Sequence, residues 1–294
     1  MSKTALAYAT GEWVSADGLR LRYRDYPARS GRGADRAPVL CLPGLTRNCR
    51  DFEPLAEALA GDWRVICADL RGRGQSDYAR DSASYQPLQY AADILALLDQ
   101  LRVPRVVAVG TSLGGIVIMV LALTAAERLA GVVLNDVGPE IEPAGLARIR
   151  GYVGQGRSFP TWMHAARGLR EQSGIAYPDF ELADWLRFAK RLMAVGPGGR
   201  IGFDYDMKIA EPFQAPTAAA QAVDMWPALR ALAGRPVLAV RGELSDILSA
   251  ATLERMAQEV PGLETVTVPR TGHAPTLEEP AAHEAIARLL AKVA

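Results

Sequence analysis

A serine hydroxyl becomes a useful nucleophile only when a base takes its proton and a third group holds that base. Gly110-Thr111-Ser112-Leu113-Gly114 has the form G-x-S-x-G and lies between an apolar run, 105–109, and a helical stretch starting near Leu113. At a sharp strand-to-helix turn this arrangement lifts the Ser112 hydroxyl above a sheet, and the flanking glycines let the strained backbone close. The helix N-terminus adds partial positive charge where an oxyanion would develop. Of three histidines, His273 follows the run 265–268 in Thr271-Gly-His-Ala-Pro275. The carboxyl end of a parallel strand is where such sheets place functional groups. His283 reads as a surface residue of the last helix, and His164 as a packing residue. His273 is therefore the expected base.

The acid is expected between them in the chain, in the order Ser, Asp, His. Asp246 follows the apolar run 236–240 and is favoured; Asp136, after 131–135, is the rival, and Glu243 a weaker third. Local hydrogen bonding in the Asn135–Pro139 turn is the plain alternative for Asp136. An oxyanion needs two pre-aimed donors, each worth roughly 3 kcal/mol in the transition state. The Leu113 amide, next after the nucleophile, is one. The Leu45 amide in Leu42-Pro-Gly-Leu-Thr46 is the other, although Pro43-Gly44 could be a mere turn.

These side chains need a scaffold that brings distant segments to one rim. Residues 12–14 and 19–24, separated by a turn at 16–18, read as an antiparallel edge hairpin. The runs 38–42, 64–68, 105–109, 131–135, 236–240 and 265–268 are almost wholly apolar, as strands buried on both faces must be. Helical periodicity lies between them, with Leu88, Ala91, Leu95 and Leu98 forming one expected buried stripe, and again over 249–259 and 281–292. Repeating strand–helix units predict an α/β, doubly wound, mostly parallel sheet. From about 139 to 216 that rhythm fails, and short amphipathic pieces alternate with glycine and proline. Such a length is too great for a structureless loop, so a helical insertion is expected between core segments 1–138 and 217–294. Its Trp162, Met163, Trp185 and Phe188 either line an apolar pocket or form the insertion's own small core.

Bulk properties narrow the class. The 294 residues carry 33 basic and 33 acidic side chains, so no global field argues for nucleic acid or an anionic membrane. The first ten residues lack a continuous apolar core, and no apolar run approaches the ~18 residues of a bilayer span. Cys41, Cys49 and Cys67 are too few and too irregular for a disulfide framework or a zinc site. A cytoplasmic protein with reduced thiols, no metal and a small-molecule substrate is the expectation.

The motifs Leu-Pro-Gly-Leu-Thr (42–46), Asp69–Asp77, Gly-Thr-Ser-Leu-Gly-Gly (110–115), Arg-Gly-Glu-Leu-Ser-Asp (241–246) and Gly-His-Ala-Pro-Thr (272–276) together resemble the α/β-hydrolase superfamily. The resemblance covers the chain outside the insertion. It implies an eight-stranded sheet, a Ser–His–Asp triad, a helical cap, no cofactor, and a structural role for the Asp69–Asp77 loop. Leu-Pro-Gly where many relatives have His-Gly resembles a branch of carboxylesterases and enol-lactonases, so the resemblance implies hydrolysis of an ester or lactone. Two other readings share the scaffold. One is C–C bond hydrolysis of a diketone, with Arg157, Arg167 or Arg187 binding a second carboxylate. The other is a ligand-binding protein with residual turnover. Ser112 stands where epoxide hydrolases and dehalogenases use a carboxylate.

Overall fold

The computed structural model describes residues 7–30, 36–214 and 223–293. Its strands are β1 (Ala9–Val14), β2 (Arg20–Tyr26), β3 (Val39–Leu42), β4 (Val65–Asp69), β5 (Val106–Thr111), β6 (Leu129–Asn135), β7 (Ser158–Phe159), β8 (Met193–Val195), β9 (Ile201–Phe203), β10 (Val237–Gly242) and β11 (Leu263–Val268). The α-helices are α1 (Glu53–Leu59), α2 (Pro87–Gln100), α3 (Leu113–Thr124), α4 (Pro143–Tyr152), α5 (Trp162–Ser173), α6 (Leu182–Leu192), α7 (Ala210–Gln214), α8 (Trp226–Arg230), α9 (Ala250–Glu259) and α10 (Pro280–Val293).

Eight strands form one sheet in the order β1-β2-β4-β3-β5-β6-β10-β11. The β1–β2 hairpin and the β2–β4 pair are antiparallel, and the remaining pairs are parallel. Period-two alternation sorts the side chains into two cores. Leu40, Leu42, Ile66 and Ala68 face α2, α3, α8 and α9, while Val39, Cys41, Val65 and Cys67 face α1 and α10. Burying each large apolar side chain is worth about 1.5–3 kcal/mol, which is why these strands read as continuous apolar runs. All three cysteines are free and buried.

Two expectations change. On α2 the buried face is Tyr90, Ala91, Ile94, Leu97 and Leu98, whereas Leu88 is exposed and Leu95 only partly covered. This helix offers more than one apolar row, and contact with α3 selects the row 90–94–97. The insertion is not purely helical: β7, β9 and β8 form a small antiparallel sheet beside α4, α5 and α6. Strands of two or three residues leave no periodic trace in a sequence. The boundary expected near 216 lies outside the described residues. Among the described residues, no helix is long and apolar enough to cross a membrane.

The Asp69–Asp77 loop is built around buried ions. Arg71, fully buried, holds Asp93 through two hydrogen bonds of 2.6 and 2.7 Å and also reaches Asp17. Removing one member of a buried pair strands the other charge. Arg71→Ala is therefore expected to cost about 3–5 kcal/mol, read as a lower midpoint of urea unfolding. A loss below about 1 kcal/mol would contradict this account of the loop.

Candidate active site

Ser112 sits between β5 and α3 with φ 52° and ψ −114°, a backbone conformation that costs about 1–3 kcal/mol for a residue with a side chain. The residues two before and two after it must be glycine. A Cβ on Gly110 would lie 2.4 Å from the Gly114 carbonyl carbon, and one on Gly114 would lie 2.0 Å from the Leu42 oxygen. Close approach of helix to strand thus closes the turn, and the Ser112 amide is tied to the Asn135 oxygen at 2.9 Å.

His273 occupies the loop after β11, and the insertion holds that loop on both sides of it. Gly272 donates its amide to the Ala176 oxygen at 2.6 Å, and the Tyr177 hydroxyl donates to the Ala274 oxygen at 2.8 Å. His273 Nε2 lies 3.0 Å from Ser112 Oγ.

The other ring nitrogen meets Asp136 rather than the Asp246 favoured from the sequence. His273 Nδ1 lies 2.7 Å from Asp136 Oδ2. Asp136 is fully buried, and its carboxylate also accepts from the Gly242 amide at 2.8 Å and the Ser245 hydroxyl at 2.6 Å. Asp246 is instead held bidentately by Arg148, at 2.5 and 2.7 Å, and that hydrogen bonding keeps its carboxyl below the usual range. Chain order cannot separate the two aspartates, because both precede His273. Sheet register separates them: β5 and β6 pair Thr111 with Asn135, so Ser112 and Asp136 leave adjacent strands side by side. The available signal was distance from the strand end, for Asp136 follows β6 directly while Asp246 stands four residues beyond Gly242. Glu243 accepts from the Arg270 amide and does not reach His273.

With Asp136 ionised, Nδ1–H donates to it and the Nε2 lone pair is left to accept the Ser112 proton. Ser245→Ala removes one donor from that carboxylate. The expected result is that a fluorophosphonate modifies Ser112 about fivefold to tenfold more slowly. An unchanged rate of modification would deny Ser245 any part in positioning Asp136.

The loop after β3 comes close to the nucleophile, since a Cβ on Gly44 would sit 3.7 Å from Ser112 Cβ. Leu45 lines the cavity beside Ser112. Its carbonyl accepts from Arg73 Nε at 3.0 Å, so the Asp69–Asp77 loop fixes this turn. The Leu113 amide opens α3 and has no intrahelical acceptor, as for any first-turn donor.

Above Ser112 and His273 lies a cavity of about 70 Å³, roofed by α4, α5 and α6. Phe188 lines it. Trp162, Met163 and Trp185 do not: Trp185 is buried in the insertion's own core with Ala165, Leu169 and Phe188, and Trp162 covers that core. Met163 lies near the start of α5, away from the cavity lining. Arg157 stacks on Phe159, Arg187 pairs with Asp184, and Arg167 is exposed; none lines the cavity. The cations that do line it are Arg47 and Arg148, together with Tyr152, Tyr177 and Tyr205. Burial pushes the Tyr177 hydroxyl up to about 12 and raises that of Tyr152. His164 lies apart, its Nδ1 on the Thr161 hydroxyl at the start of α5.

Residues 39–286 match the model of a family described as the alpha/beta hydrolase family. The chain is 35% identical over 275 residues to a 3-hydroxybutyrate-oligomer hydrolase of Cupriavidus necator, covering 91% of this chain and 92% of that protein. It is 30% identical to a 2-(acetamidomethylene)succinate hydrolase of Mesorhizobium japonicum, over 80% of this chain and 81% of that one. The crystal structure of an alpha/beta hydrolase from Novosphingobium aromaticivorans is similar throughout. It has 60% identity, a TM-score of 0.92, and coverage of 97% of this chain and 99% of that one.

Proposed function

Since the chain belongs to the alpha/beta hydrolase family, we propose that it hydrolyses a small carboxylic ester or lactone through Ser112, His273 and Asp136. The observation that carries this reading is the unbroken run of contacts from the Ser112 hydroxyl through the imidazole to a buried carboxylate, at 3.0 and 2.7 Å.

Ser112 Oγ attacks the carbonyl carbon while His273 Nε2 takes its proton. The carbonyl oxygen becomes an oxyanion facing the Leu45 and Leu113 amides, which donate to it. Asp136 stabilises the imidazolium, which then protonates the departing alkoxide, so the C–O bond breaks and the alcohol leaves. Water attacks the acyl-serine with His273 again as base, releasing the acid and restoring Ser112. Each proton taken by the imidazole is returned within the same half-reaction. Besides substrate and water, these steps use only the protein's own side chains and amides.

The names of the relatives point to short, functionalised acids as substrates, and a small cavity suits them. A cytoplasmic location belongs to the same reading, supported by the three free, buried thiols. A fluorophosphonate probe tests the nucleophile directly. Labelling at neutral pH that maps by peptide mass spectrometry to Ser112 is expected. An unlabelled serine would favour a ligand-binding protein on the same scaffold.

A further inference from the structure

Nineteen residues line the cavity over Ser112, and among these described residues two are cations and none is a carboxylate. The counter-ions of those cations, Asp51 and Asp246, are not part of the lining. The two guanidiniums differ in freedom. Arg47 is clamped, bound twice by Asp51 at 2.5 and 3.0 Å and stacked 4.5 Å over the Phe188 ring. Arg148 projects from α4 and spends Nε and Nη2 on Asp246. Arg148 and Asp246 are each about one-third exposed, at 37% and 36%. Solvent screening keeps the net contribution of an ion pair this exposed small.

The backbone around this pair is fixed. A Cβ on Gly145 would fall 2.1 Å from the Asp246 carbonyl oxygen, and the Glu142 amide donates to the Ile247 oxygen at 3.0 Å. The α4 helix is therefore seated on the 243–248 loop, whose Ser245 also holds Asp136. A charge read by Arg148 is thus read at a constant position relative to the reacting carbonyl.

We propose that Arg148 is a carboxylate subsite, so that the substrate is an ester carrying a free carboxylate, with Asp246 as the counter-ion that the substrate shares or displaces. This rests on the ester-hydrolase reading and adds the substrate's charge to it. A planar guanidinium pairs with a carboxylate through two parallel N–H···O bonds, a fit a neutral group cannot match. Asp246 neutralises Arg148 while the cavity is empty, which avoids leaving a bare cation beside an imidazole that must itself become charged.

The test compares isosteric esters that differ only in charge. One pair, 3-acetoxybutyrate and 3-acetoxybutyramide, carries the difference in the alcohol half. The other, 4-nitrophenyl hydrogen adipate and 4-nitrophenyl adipamate, carries it in the acyl half. The readout is the ratio of kcat/KM for the charged ester over the neutral one, taken within each variant. Arg148→Ala and Arg148→Gln are expected to lower this ratio by about 10- to 100-fold for at least one pair. Asp246→Asn, which unmasks the guanidinium, is expected to raise it. A ratio within about twofold of the unmodified protein for both pairs in both arginine variants overturns the subsite. A second arm needs no turnover: Ser112→Ala protein titrated calorimetrically with 3-acetoxybutyrate and with the adipate monoester. Adding Arg148→Ala should weaken binding of at least one of these anions at least about tenfold, and unchanged binding of both overturns the proposal. If none of the four esters is hydrolysed, the ester reading falls and the calorimetric arm alone decides the subsite.

Discussion

Asp136→Asn is expected to lower kcat on a neutral 4-nitrophenyl ester by roughly 10⁴-fold. Asp246→Asn should lose less than about tenfold on the same ester. Asparagine nearly preserves the shape of Asp136 but not its acceptors. The native carboxylate receives three donors, from His273 Nδ1, the Gly242 amide and the Ser245 hydroxyl. An amide has one oxygen and an NH2 that must face one of those donors. His273 then loses an anionic partner for Nδ1–H, and the tautomer protonated on Nε2 becomes favourable. That tautomer presents a proton to Ser112 rather than a lone pair. Steady-state kinetics on both variants, with circular dichroism to check folding, decide the matter. A collapse in Asp246→Asn beside a mild effect in Asp136→Asn would return the acid to Asp246.

Ser112→Ala should produce the largest loss of all, on the order of 10⁶-fold in kcat. His273→Ala should match it, and the double variant should be no worse than either alone. Nucleophile and base act as one unit, so once either is gone the other has nothing to do. Residual turnover above the uncatalysed rate is expected from the Leu45 and Leu113 donors and from substrate binding. Single-variant and double-variant rates on one substrate, under one set of conditions, give the answer. Losses that multiply in the double variant would mean that Ser112 and His273 work independently.

The elbow was legible because it is local. A strand, two glycines spaced around a serine and a helix specify one turn, and the close approach at Gly110 is a consequence of that short segment, whereas the one at Gly114 is made against Leu42 of β3. His273 was legible because only one histidine follows a strand end. The acid was not, because chain order admits Asp136 and Asp246 equally and the deciding fact is a strand register formed across 24 residues. The cap shows the same divide. Amphipathic spacing marks α6 as having a buried face, and Trp185 and Phe188 both belong to it. Spacing cannot tell that the indole closes the insertion's own core while the Phe188 ring, also in that core, reaches the cavity. Nor does anything in residues 143–152 announce that Arg148, rather than Arg157, Arg167 or Arg187, lines the cavity over Ser112.

The sequence by itself determined the alternation of strands and helices along the chain and brought Ser112 and His273 forward as candidates, because hydrophobic period and turn chemistry are properties of neighbouring residues. Tertiary structure alone decided which carboxylate meets His273, which cap side chains line the cavity and which arginines stand among them. Those outcomes depend on where two segments far apart in the chain come to rest against each other. A side chain's partner across such a contact is fixed by strand register and helix seating, and neither is written in the residues on one side of it.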